Sequence, residues 1–537
     1  MKLEIANAGG LKTPFATPAP SVPSRGNETS FLSDSSSVDL TFAHLKVLPD
    51  PDSLQLESPV NRPVIVVDDN TDLTMEIVKI YGRRAVVLSI KGGQFSKQRR
   101  LNQTILKDMS EGALMEALAT VESKYGVPGG VIYQHRQDAD DMAQFGWLML
   151  LAKHTSKALN QTIEGGRCFF LTVARMNGCL GLGKHAGSLR TSLQGALFGL
   201  AKTLDHEWNH IFCRGIDLAI GMTASSAAQC VVQESTCPNT LVREVGYDTQ
   251  GVRRTTQASK LSLPSRDQVL DADMRVSSTD AFIVTGGGRG ITPLCIAELA
   301  KSIRGGTFFL LGRTALMQEP TFARGKSGKD LDKAVIGDLK RAQKAGGPKC
   351  TPKKHKAMVN AIAGSREVND SIRLIENNGG RAIYLPCDVG NSTKVQEVLR
   401  KASSDYNVKI TGIIHAAGVL RDKKIEDKKL DEFNFVYGVK VKGLMNILDS
   451  MSLGSLKHLV MFSSLAGFHG NVGQVDYAMA NDALNKIGHY VASAHPQCRV
   501  KAMDFGPWDY GMVTPQLKAH FRAGGVQIIP PGEGAEI

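Results

Sequence analysis

The segment IVTGGGRGIT at 283–292 places three consecutive glycines, and a fourth soon after, between a β-branched run and a helix-forming stretch. Glycines in such a turn let the backbone approach a phosphate closely. The helix that follows directs free N–H groups and a positive dipole end toward the same point. The segment therefore predicts a nucleotide-binding turn at the edge of a parallel sheet.

The spacing in this loop is T-G-x-x-x-G-x-T, with Thr292 where a third glycine often stands. On the loop alone, a plain glycine turn remains an alternative. The next strand ends in LLGRT and puts Arg313 where NAD-binding proteins carry an acidic residue for the ribose hydroxyls. Because an arginine there suits a 2′-phosphate, and Arg289 adds a second cation, the sequence favours NADP over NAD.

Short β-branched runs alternate with amphipathic stretches in both halves of the chain, which predicts parallel sheets covered by helices. In the first half, strands are expected at 62–69, 84–90, 129–135, 167–173 and 212–220, and helices at 73–82, 138–158 and 190–207. In the second half, helices are expected at 292–303, 367–377, 392–404, 430–451 and 476–494, between the strands AFIVT, TFFLLG, RAIYLP, ITGIIHA, HLVMFS and RVKAMDF. The predicted fold class is α/β, with two Rossmann-like subdomains.

The first half lacks a glycine turn. Its first strand runs into VDDNTD, where Asp68 and Asp69 would repel a pyrophosphate. Without glycine, the backbone also cannot approach a phosphate closely. We therefore interpret the first half as a degenerate, structural subdomain that binds no dinucleotide.

Composition divides the chain into three regions. Residues 1–58 are rich in Ser, Pro, Thr and Asn and are expected to be a disordered linker. Residues 59–272 form the structural subdomain, and 273–537 form the catalytic one. Residues 315–366, rich in Lys and Gly, interrupt the strand–helix series and are interpreted as an insertion. The chain stops at PPGEGAEI within the last expected helix, so the closing strand is expected to be missing.

Several functional classes are disfavoured by composition. No apolar run approaches the roughly 20 residues that span a bilayer, and the N-terminus has no secretory h-region. Nine scattered cysteines indicate reduced thiols, so the prediction is a cytoplasmic protein. The net charge is +12, and residues 323–356 hold eleven Lys/Arg and three Asp. This run is interpreted as a solvated face, with an acidic partner as the alternative and no nucleic acid expected.

A possible metal motif, HEWNH, occurs at 206–210. H-E-x-x-H on one helix face supplies two zinc ligands and a general base. Here the pattern ends an amphipathic helix and a strand follows at once, so His210 is expected to lie outside the helix. We therefore predict no metal site.

A tyrosine and a lysine four residues later form the usual active-site pair of short-chain reductases, but Tyr477 is followed by Asn481. The segment VKVKG offers Lys440 and Lys442 from another helix, and only one of two residues so spaced can face the site. A nearby ammonium would lower the pKa of the tyrosine. Ser464 closes a strand at its carboxyl end, where α/β sheets bind ligands.

The motifs TGGGRGIT, LLGR, CDV, HAAGVLRD, VKVKG, FSSLAGFHGNVGQVDYAMAN and FGPWDYGM together resemble the ketoreductase domains of multidomain polyketide and polyunsaturated-fatty-acid synthases. That family exchanges the lysine and asparagine in this way. The resemblance implies a catalytic tetrad of Lys440, Ser464, Tyr477 and Asn481. The predicted cofactor-binding residues are Thr285, Gly286, Gly288, Arg289, Gly290, Ile291, Arg313, Asp388, Val389, Ala416, Ala417, Gly418 and Pro507.

The resemblance also implies a reaction, the NADPH-dependent reduction of a 3-ketoacyl thioester carried on the phosphopantetheine of an acyl carrier protein. The partners would be that carrier and other synthase domains. Asp422, after HAAGVL, and His469, where a Trp marks the opposite class, imply a (3R)-hydroxyacyl product. Two alternatives stay open: a free dehydrogenase acting on a small alcohol or ketone, and a non-catalytic NADP-binding scaffold.

Overall fold

Two mostly parallel β-sheets with helices packed on them form the framework of the chain in a computed structural model. The structure describes residues 38, 40–52, 56, 58–90, 101–136, 141–161, 166–184, 187–260, 275–511 and 513–537. Most of the expected linker, and the expected boundary between residues 272 and 273, lie outside the described residues.

The first sheet has nine strands in the order β1-β9-β8-β7-β6-β5-β2-β3-β4. Its strands are β1 Thr41–Val47, β2 Val64–Val67, β3 Ala85–Ile90, β4 Gln103–Leu106, β5 Gly130–Gln134, β6 Phe169–Met176, β7 Phe212–Ala219, β8 Glu244–Tyr247 and β9 Arg253–Lys260. The helices are α1 Asp72–Tyr81, α2 Glu111–Tyr125, α3 Asp141–Asn160, α4 Gly195–Glu207 and α5 Ala224–Thr236. Strand β9 pairs antiparallel with both of its neighbours, β1 and β8.

The second sheet has six parallel strands in the order β12-β11-β10-β13-β14-β15. These are β10 Ala281–Thr285, β11 Thr307–Gly312, β12 Arg381–Pro386, β13 Ile410–His415, β14 His458–Ser464 and β15 Arg499–Phe505. The helices are α6 Thr292–Ile303, α7 Gly328–Lys344, α8 Pro352–Asn377, α9 Ser392–Tyr406, α10 Leu430–Tyr437, α11 Gly443–Asp449, α12 Leu465–His469, α13 Val475–Ala494, α14 Pro515–Ala523 and α15 Pro531–Glu536. A π-helical turn, Gly438–Lys442, joins α10 to α11.

Both sheets share one winding pattern. The six strands of the second sheet follow the spatial order 3-2-1-4-5-6, the order of dinucleotide-binding folds. The seven parallel strands of the first sheet, β2 to β8, follow the same order with one more strand, 3-2-1-4-5-6-7. Alternate residues of β2, such as Ile65 and Val66, pack into different apolar clusters, so this strand is buried on both faces. The predicted fold class, α/β with two Rossmann-like subdomains, is confirmed.

One segment of the expected linker was predicted wrongly. Residues Thr41–Val47 form a strand that pairs in antiparallel register with Arg253–Lys260, so they are not linker. The strand is TFAHLKV and is mostly exposed, which makes its sequence pattern weak. Its formation depends on an edge strand that lies far away in the chain.

Several helix boundaries agree closely with the sequence prediction. The helix expected at 292–303 is α6, and the helix expected at 476–494 is α13. The helix expected at 367–377 is longer, because α8 starts at Pro352, inside the expected insertion. In the first half of the chain, α2, α5, β4, β8 and β9 were not predicted from the sequence.

The expected insertion forms a helical hairpin beside the second sheet. Helices α7 and α8 enclose a small apolar cluster of Ala323, Leu331, Val335 and Ile362. The eleven Lys and Arg side chains of 323–356 are all exposed. Their charge therefore faces solvent, as the sequence predicted for this run.

In the turn after β2, two aspartate carboxylates accept the backbone N–H groups of the turn itself. Asp68 accepts a hydrogen bond from the Asn70 N–H (2.8 Å), and Asp69 accepts one from the Thr71 N–H (3.0 Å). Both side chains are buried, and burial raises the pKa of Asp68. Acceptor groups thus line the turn where a dinucleotide fold offers donors to phosphate.

The two subdomains pack through α4 and α13. At Gly199 a Cβ atom would lie 2.5 Å from the carbonyl oxygen of Ala478, so the backbones of the two helices are in contact there. Lys202 of α4 forms buried ion pairs with Asp482 of α13 (2.7 Å) and with Glu244 of β8 (3.1 Å). Among the described residues, no helix has the length and apolar character that a membrane crossing needs.

Candidate active site

The glycine loop connects β10 to α6 at the point where the strand order of the second sheet reverses. Gly286 and Gly290 have φ values of 69° and 70°, in the left-handed region that favours glycine. A Cβ at Gly286 would lie 2.9 Å from the Ala416 carbonyl group. The loop therefore needs glycine both for its backbone conformation and for its contact with the end of β13.

A chain of hydrogen bonds links this loop to the predicted catalytic lysine. The Thr285 Oγ1 accepts hydrogen bonds from the N–H groups of Ala416 and Ala417 (3.2 and 3.1 Å). Burial lowers the pKa of His415 to about 3, so its ring is neutral. His415 Nε2 lies 2.8 Å from the carbonyl oxygen of Lys440 and must donate, which leaves Nδ1 to accept from the Thr285 hydroxyl at 2.9 Å.

The lysine itself stands in the π-helical turn Gly438–Lys442. Such turns are uncommon and often occur at functional sites. Lys440 is 3% exposed and its Nζ donates to the carbonyl oxygen of Phe462 (2.8 Å), whereas Lys442 is exposed. Burial lowers the pKa of Lys440 to about 7, although the carboxylate of Asp504 opposes the shift. Of the two lysines, Lys440 therefore faces the site.

Tyr477 lies in the first turn of α13, and the Lys440 Nζ is 5.2 Å from the centre of its ring. This lysine was expected to lower the pKa of Tyr477, but the structure contradicts that expectation. Burial raises the pKa of Tyr477, although the Asn481 and Ser464 side chains oppose the shift. The Lys440 ammonium lies over the face of the Tyr477 ring. Because burial lowers the pKa of Lys440 to about 7, this lysine also carries less positive charge at neutral pH.

The other two predicted catalytic residues flank the tyrosine. Ser464 ends β14 and caps α12, where its Oγ accepts the Ala466 N–H at 3.2 Å. Asn481 is fully buried, and its Nδ2 donates to the Tyr477 carbonyl oxygen at 2.7 Å. Its Oδ1 has no hydrogen-bond partner within the part of the chain that the structure describes.

One cavity of about 720 Å³ brings most of the predicted residues together. Of the predicted set, its walls include Gly286, Gly288, Arg289, Gly290, Ile291, Arg313, Ala416, Gly418, Lys440, Ser464, Tyr477 and Pro507. Thr285, Ala417 and Asn481 lie behind these walls. The glycine loop and three of the four proposed catalytic side chains, Lys440, Ser464 and Tyr477, thus share a single space.

Two predicted cofactor residues do not line this cavity. Asp388 is exposed, and its Oδ1 accepts the N–H of Gly390 at 3.1 Å. Val389 is buried, and a Cβ at Gly443 would lie 2.8 Å from its Cγ2. Asp388 and Val389 follow the end of β12 and lie outside the cavity walls, so the structure does not support their assignment as cofactor contacts.

The cavity also contains residues that the sequence analysis did not assign to a site. Glu367 and Val368 come from α8, and Leu517 and Phe521 come from α14. The spacing of Leu517 and Phe521 by four residues is a helical signal that could have been detected. Nothing local to Glu367 distinguishes it from an ordinary exposed residue of a helix.

The HEWNH segment has a structural role at the subdomain junction. Helix α4 ends at Glu207, so His210 lies outside it, as predicted. His206 Nε2 donates to the His469 carbonyl oxygen (2.9 Å), and Glu207 accepts the N–H groups of Ile425 and Gly473 (2.7 and 2.8 Å). Over the described ranges, no cluster of three or more His, Cys, Asp or Glu could hold a metal ion.

Comparison with known proteins identifies the family of this site. Residues 281–510 match the family described as KR domain. They belong to that family. The KR domain thus begins at β10 and includes the glycine loop, the π-helical turn and the tyrosine helix.

The relatives of this KR domain are parts of large synthases. The chain is 44% identical over 510 residues to a polyunsaturated fatty acid synthase of Thraustochytrium sp., a match that covers 93% of this chain and 18% of that protein. It is 25% identical over 299 residues to polyketide synthase PksL of Bacillus subtilis, covering 56% of this chain and 5% of that protein. The chain therefore spans less than a fifth of the length of either relative. The predicted family is confirmed.

Solved structures show the same fold. An N-terminal ketoreductase from the macrolactin assembly line matches with a TM-score of 0.63 and 16% identity, over 92% of this chain and 87% of that one. A structure described as an A1-type ketoreductase matches with a TM-score of 0.63 and 17% identity, over 92% and 89%. Because both matches extend over the two sheets, the first half of the chain shares the architecture of these ketoreductases.

Proposed function

We propose that the chain reduces a 3-ketoacyl thioester to a 3-hydroxyacyl thioester with NADPH. The observation that carries this proposal is the single cavity that joins the glycine loop and Arg313 to Lys440, Ser464 and Tyr477. A reductase needs its cofactor loop and its proton donor to border the same space, because hydride and proton add to adjacent atoms of one carbonyl group.

The residues of the cavity fit a dinucleotide with a 2′-phosphate. An added Cβ at Gly286 or Gly288 would lie about 3 Å from the Ala416 backbone or the Val368 side chain, so both positions require glycine. The resulting loop has no side chain at these two positions, and a phosphate can approach its backbone N–H groups. Arg289 and Arg313 both line the cavity and supply positive charge. When bound, NADPH supplies the hydride.

The proposed roles of the catalytic residues follow from their protonation and position. Tyr477 keeps its proton at neutral pH because burial raises its pKa, so it can donate that proton to the carbonyl oxygen. Ser464 lines the cavity and donates a hydrogen bond to the same oxygen. Lys440 orients the cofactor ribose, and the unpartnered Oδ1 of Asn481 suits a water that relays protons to the site.

The proposed substrate is bound to phosphopantetheine on an acyl carrier protein. This proposal rests on the 44% identity to a polyunsaturated fatty acid synthase, since synthases of this kind work on tethered chains. The chain would work in the cytoplasm beside other synthase domains. The first subdomain would support the second without binding a nucleotide, since acidic side chains fill its turn.

The decisive experiment follows NADPH oxidation in the presence of a 3-ketoacyl thioester. We expect turnover by the unaltered chain and none by Tyr477→Phe, which lacks the proton donor but keeps the cavity. Tyr490→Phe, on the same helix and outside the cavity walls, serves as the matched control and should remain active. Loss of activity in both variants would contradict the assigned role of Tyr477.

Two alternative functions give different results in the same assay. A free dehydrogenase would reduce small soluble ketones as well as carrier-bound chains. A scaffold would bind NADPH without oxidising it. Comparing carrier-bound and free substrates at equal concentration therefore discriminates among all three.

A further inference from the structure

Helix α8, whose first half belongs to the hairpin, packs directly on the glycine loop. A Cβ at Gly364 would lie 1.9 Å from the Arg289 Nη2, so the arginine side chain rests on the helix backbone at this point. Two turns further on, the Ser371 Oγ donates to the Gly288 carbonyl oxygen at 3.0 Å. The loop and the helix therefore share a fixed interface.

Glu367 lies between these two contacts and faces the loop. Its Oε1 accepts the Gly290 N–H at 3.3 Å, and its Oε2 is 3.8 Å from the Arg289 Nε. The Arg289 and Glu367 side chains are 49% and 45% exposed, and both line the cavity. A carboxylate is thus held at the mouth of the proposed cofactor site.

The groups that Glu367 contacts are the kind that bind phosphate. A backbone N–H just before a helix and an arginine guanidinium both prefer an anion. The neighbouring cation on the helix, Arg366, does not neutralise Glu367, because its Nε is bound to Glu319 at 3.0 Å. The negative charge of Glu367 therefore acts on the site directly.

We propose that Glu367 is an internal anion that the 2′-phosphate of the cofactor must displace from Arg289. The inference rests on the proposed function, since it assumes that NADPH binds this loop. In the free chain Glu367 holds the arginine, and in the bound chain it repels the phosphate. Glu367 thus lowers the affinity of the chain for NADPH and raises the dissociation rate of the product NADP⁺.

The test is the affinity of the whole chain for NADPH and NADH, measured by fluorescence titration without substrate. Glu367→Gln keeps the size and the hydrogen-bonding oxygen but removes the charge. We expect it to bind NADPH about three- to fivefold more tightly, the effect of a partly exposed ion pair. NADH, which lacks the 2′-phosphate, should gain less, and added salt should reduce the difference.

Glu376→Gln is the matched control, because Glu376 is exposed on the same helix and does not line the cavity. Its NADPH affinity should equal that of the unaltered chain. Glu367 acts through Arg289, so the gain from Glu367→Gln should largely disappear in an Arg289→Ala background. A gain that persists there would overturn the proposed partner.

The outcomes separate this inference from the proposed function. If the unaltered chain binds NADPH and Glu367→Gln binds it equally or more weakly, the inference is wrong and the proposed function stands. If the unaltered chain binds no NADPH, both are wrong. If Glu367→Gln and Glu376→Gln tighten binding equally, a general charge effect replaces the specific one and overturns the inference.

Discussion

The ammonium nitrogen of Lys440 lies 5.2 Å from the centre of the Tyr477 ring, although the two residues belong to different helical segments. Lys440 comes from the π-helical turn after α10, and Tyr477 comes from the start of α13. Asn481 follows the tyrosine by one turn of the same helix, and its Nδ2 donates to the Tyr477 carbonyl oxygen. The pair is therefore assembled across the interface of two helices.

The first prediction concerns which of two lysines is essential. Lys440→Ala should lower kcat by about 10²-fold or more, because the cofactor ribose that Lys440 is proposed to orient would lose its position relative to the substrate. Lys442→Ala should change kcat by less than about threefold, because Lys442 points to solvent. Steady-state kinetics with a 3-ketoacyl thioester compare the two variants directly. A larger effect of Lys442→Ala would contradict the geometry of the π-helical turn.

The second prediction is a pH dependence of stability. The pKa of Lys440 is about 7 in the folded chain because of burial, against about 10.4 when unfolded. Between these values the unfolded chain binds a proton that the folded chain does not, so the contribution of Lys440 to the free energy of unfolding rises with pH. Below about pH 7, Lys440 is charged in both the folded and the unfolded chain, so the folded chain bears the full free-energy cost of burying that charge.

Lys440→Met removes that cost and should raise the free energy of unfolding near neutral pH by on the order of 1–4 kcal/mol. The advantage over the unaltered chain should shrink as the pH rises toward about 10, the pKa of an ordinary lysine. Denaturant unfolding of both proteins across this range measures the difference. A difference that stays constant with pH would show that burial does not shift this lysine.

The third prediction concerns cofactor choice. Arg313→Ala should cost about 1.5–3 kcal/mol of NADPH binding, the value of a charge-assisted hydrogen bond, and leave NADH affinity nearly unchanged. Arg421→Ala is the control, because Arg313 and Arg421 both lie over the Phe435 ring (5.5 and 4.9 Å) but only Arg313 lines the cavity. Isothermal titration with both nucleotides measures the effect. Equal losses for NADH and NADPH would argue against a 2′-phosphate contact.

The fourth prediction concerns the junction between the subdomains. Burial opposes the charge of Lys202, but Asp482 and Glu244 outweigh it and raise the pKa of this lysine. Lys202→Met removes the ion-pair partner of Glu244 and leaves Asp482 paired with Lys486 (3.4 Å), so it should lower the free energy of unfolding by on the order of 3–5 kcal/mol. Activity should fall as well, because Asp482 follows Asn481 directly on α13.

The control for the junction is Lys301→Met, which breaks an exposed pair with Glu298 (3.0 Å). It should change the free energy of unfolding by less than about 1 kcal/mol. Chemical denaturation of the three proteins provides the comparison. If Lys202→Met unfolds at the same denaturant concentration as the unaltered chain, the buried pairs do not hold the junction.

The fifth prediction is the configuration of the product. Asp422 accepts a hydrogen bond from the Gln474 Nε2 at 3.0 Å, and both residues line the cavity with His469. In the proposed reaction, these side chains would border the path of the acyl chain toward Tyr477. We expect a (3R)-hydroxyacyl product, measured by chiral chromatography, and lower selectivity in His469→Trp because the ring adds bulk on one side. A (3S) product from the unaltered chain would contradict this assignment.

Features that depend on neighbouring residues could be predicted from the amino-acid sequence. The glycine loop, the position of Arg313 and the limits of α6 and α13 could all be predicted, because turn chemistry and helical periodicity are local properties. The end of α4 before His210 followed from the strand signal that comes next. Motif order across the second half was enough to predict the family.

Features that depend on burial and on distant partners became visible in the folded chain. Lys440, and not Lys442, is buried at the site, and burial raises the pKa of Tyr477 where a decrease was expected. Glu367 lies at the glycine loop, where it accepts a backbone N–H. Strand β1 also pairs with β9 across the chain. In each case the deciding energy is desolvation or a contact between residues far apart in sequence, and neither is encoded in a local pattern.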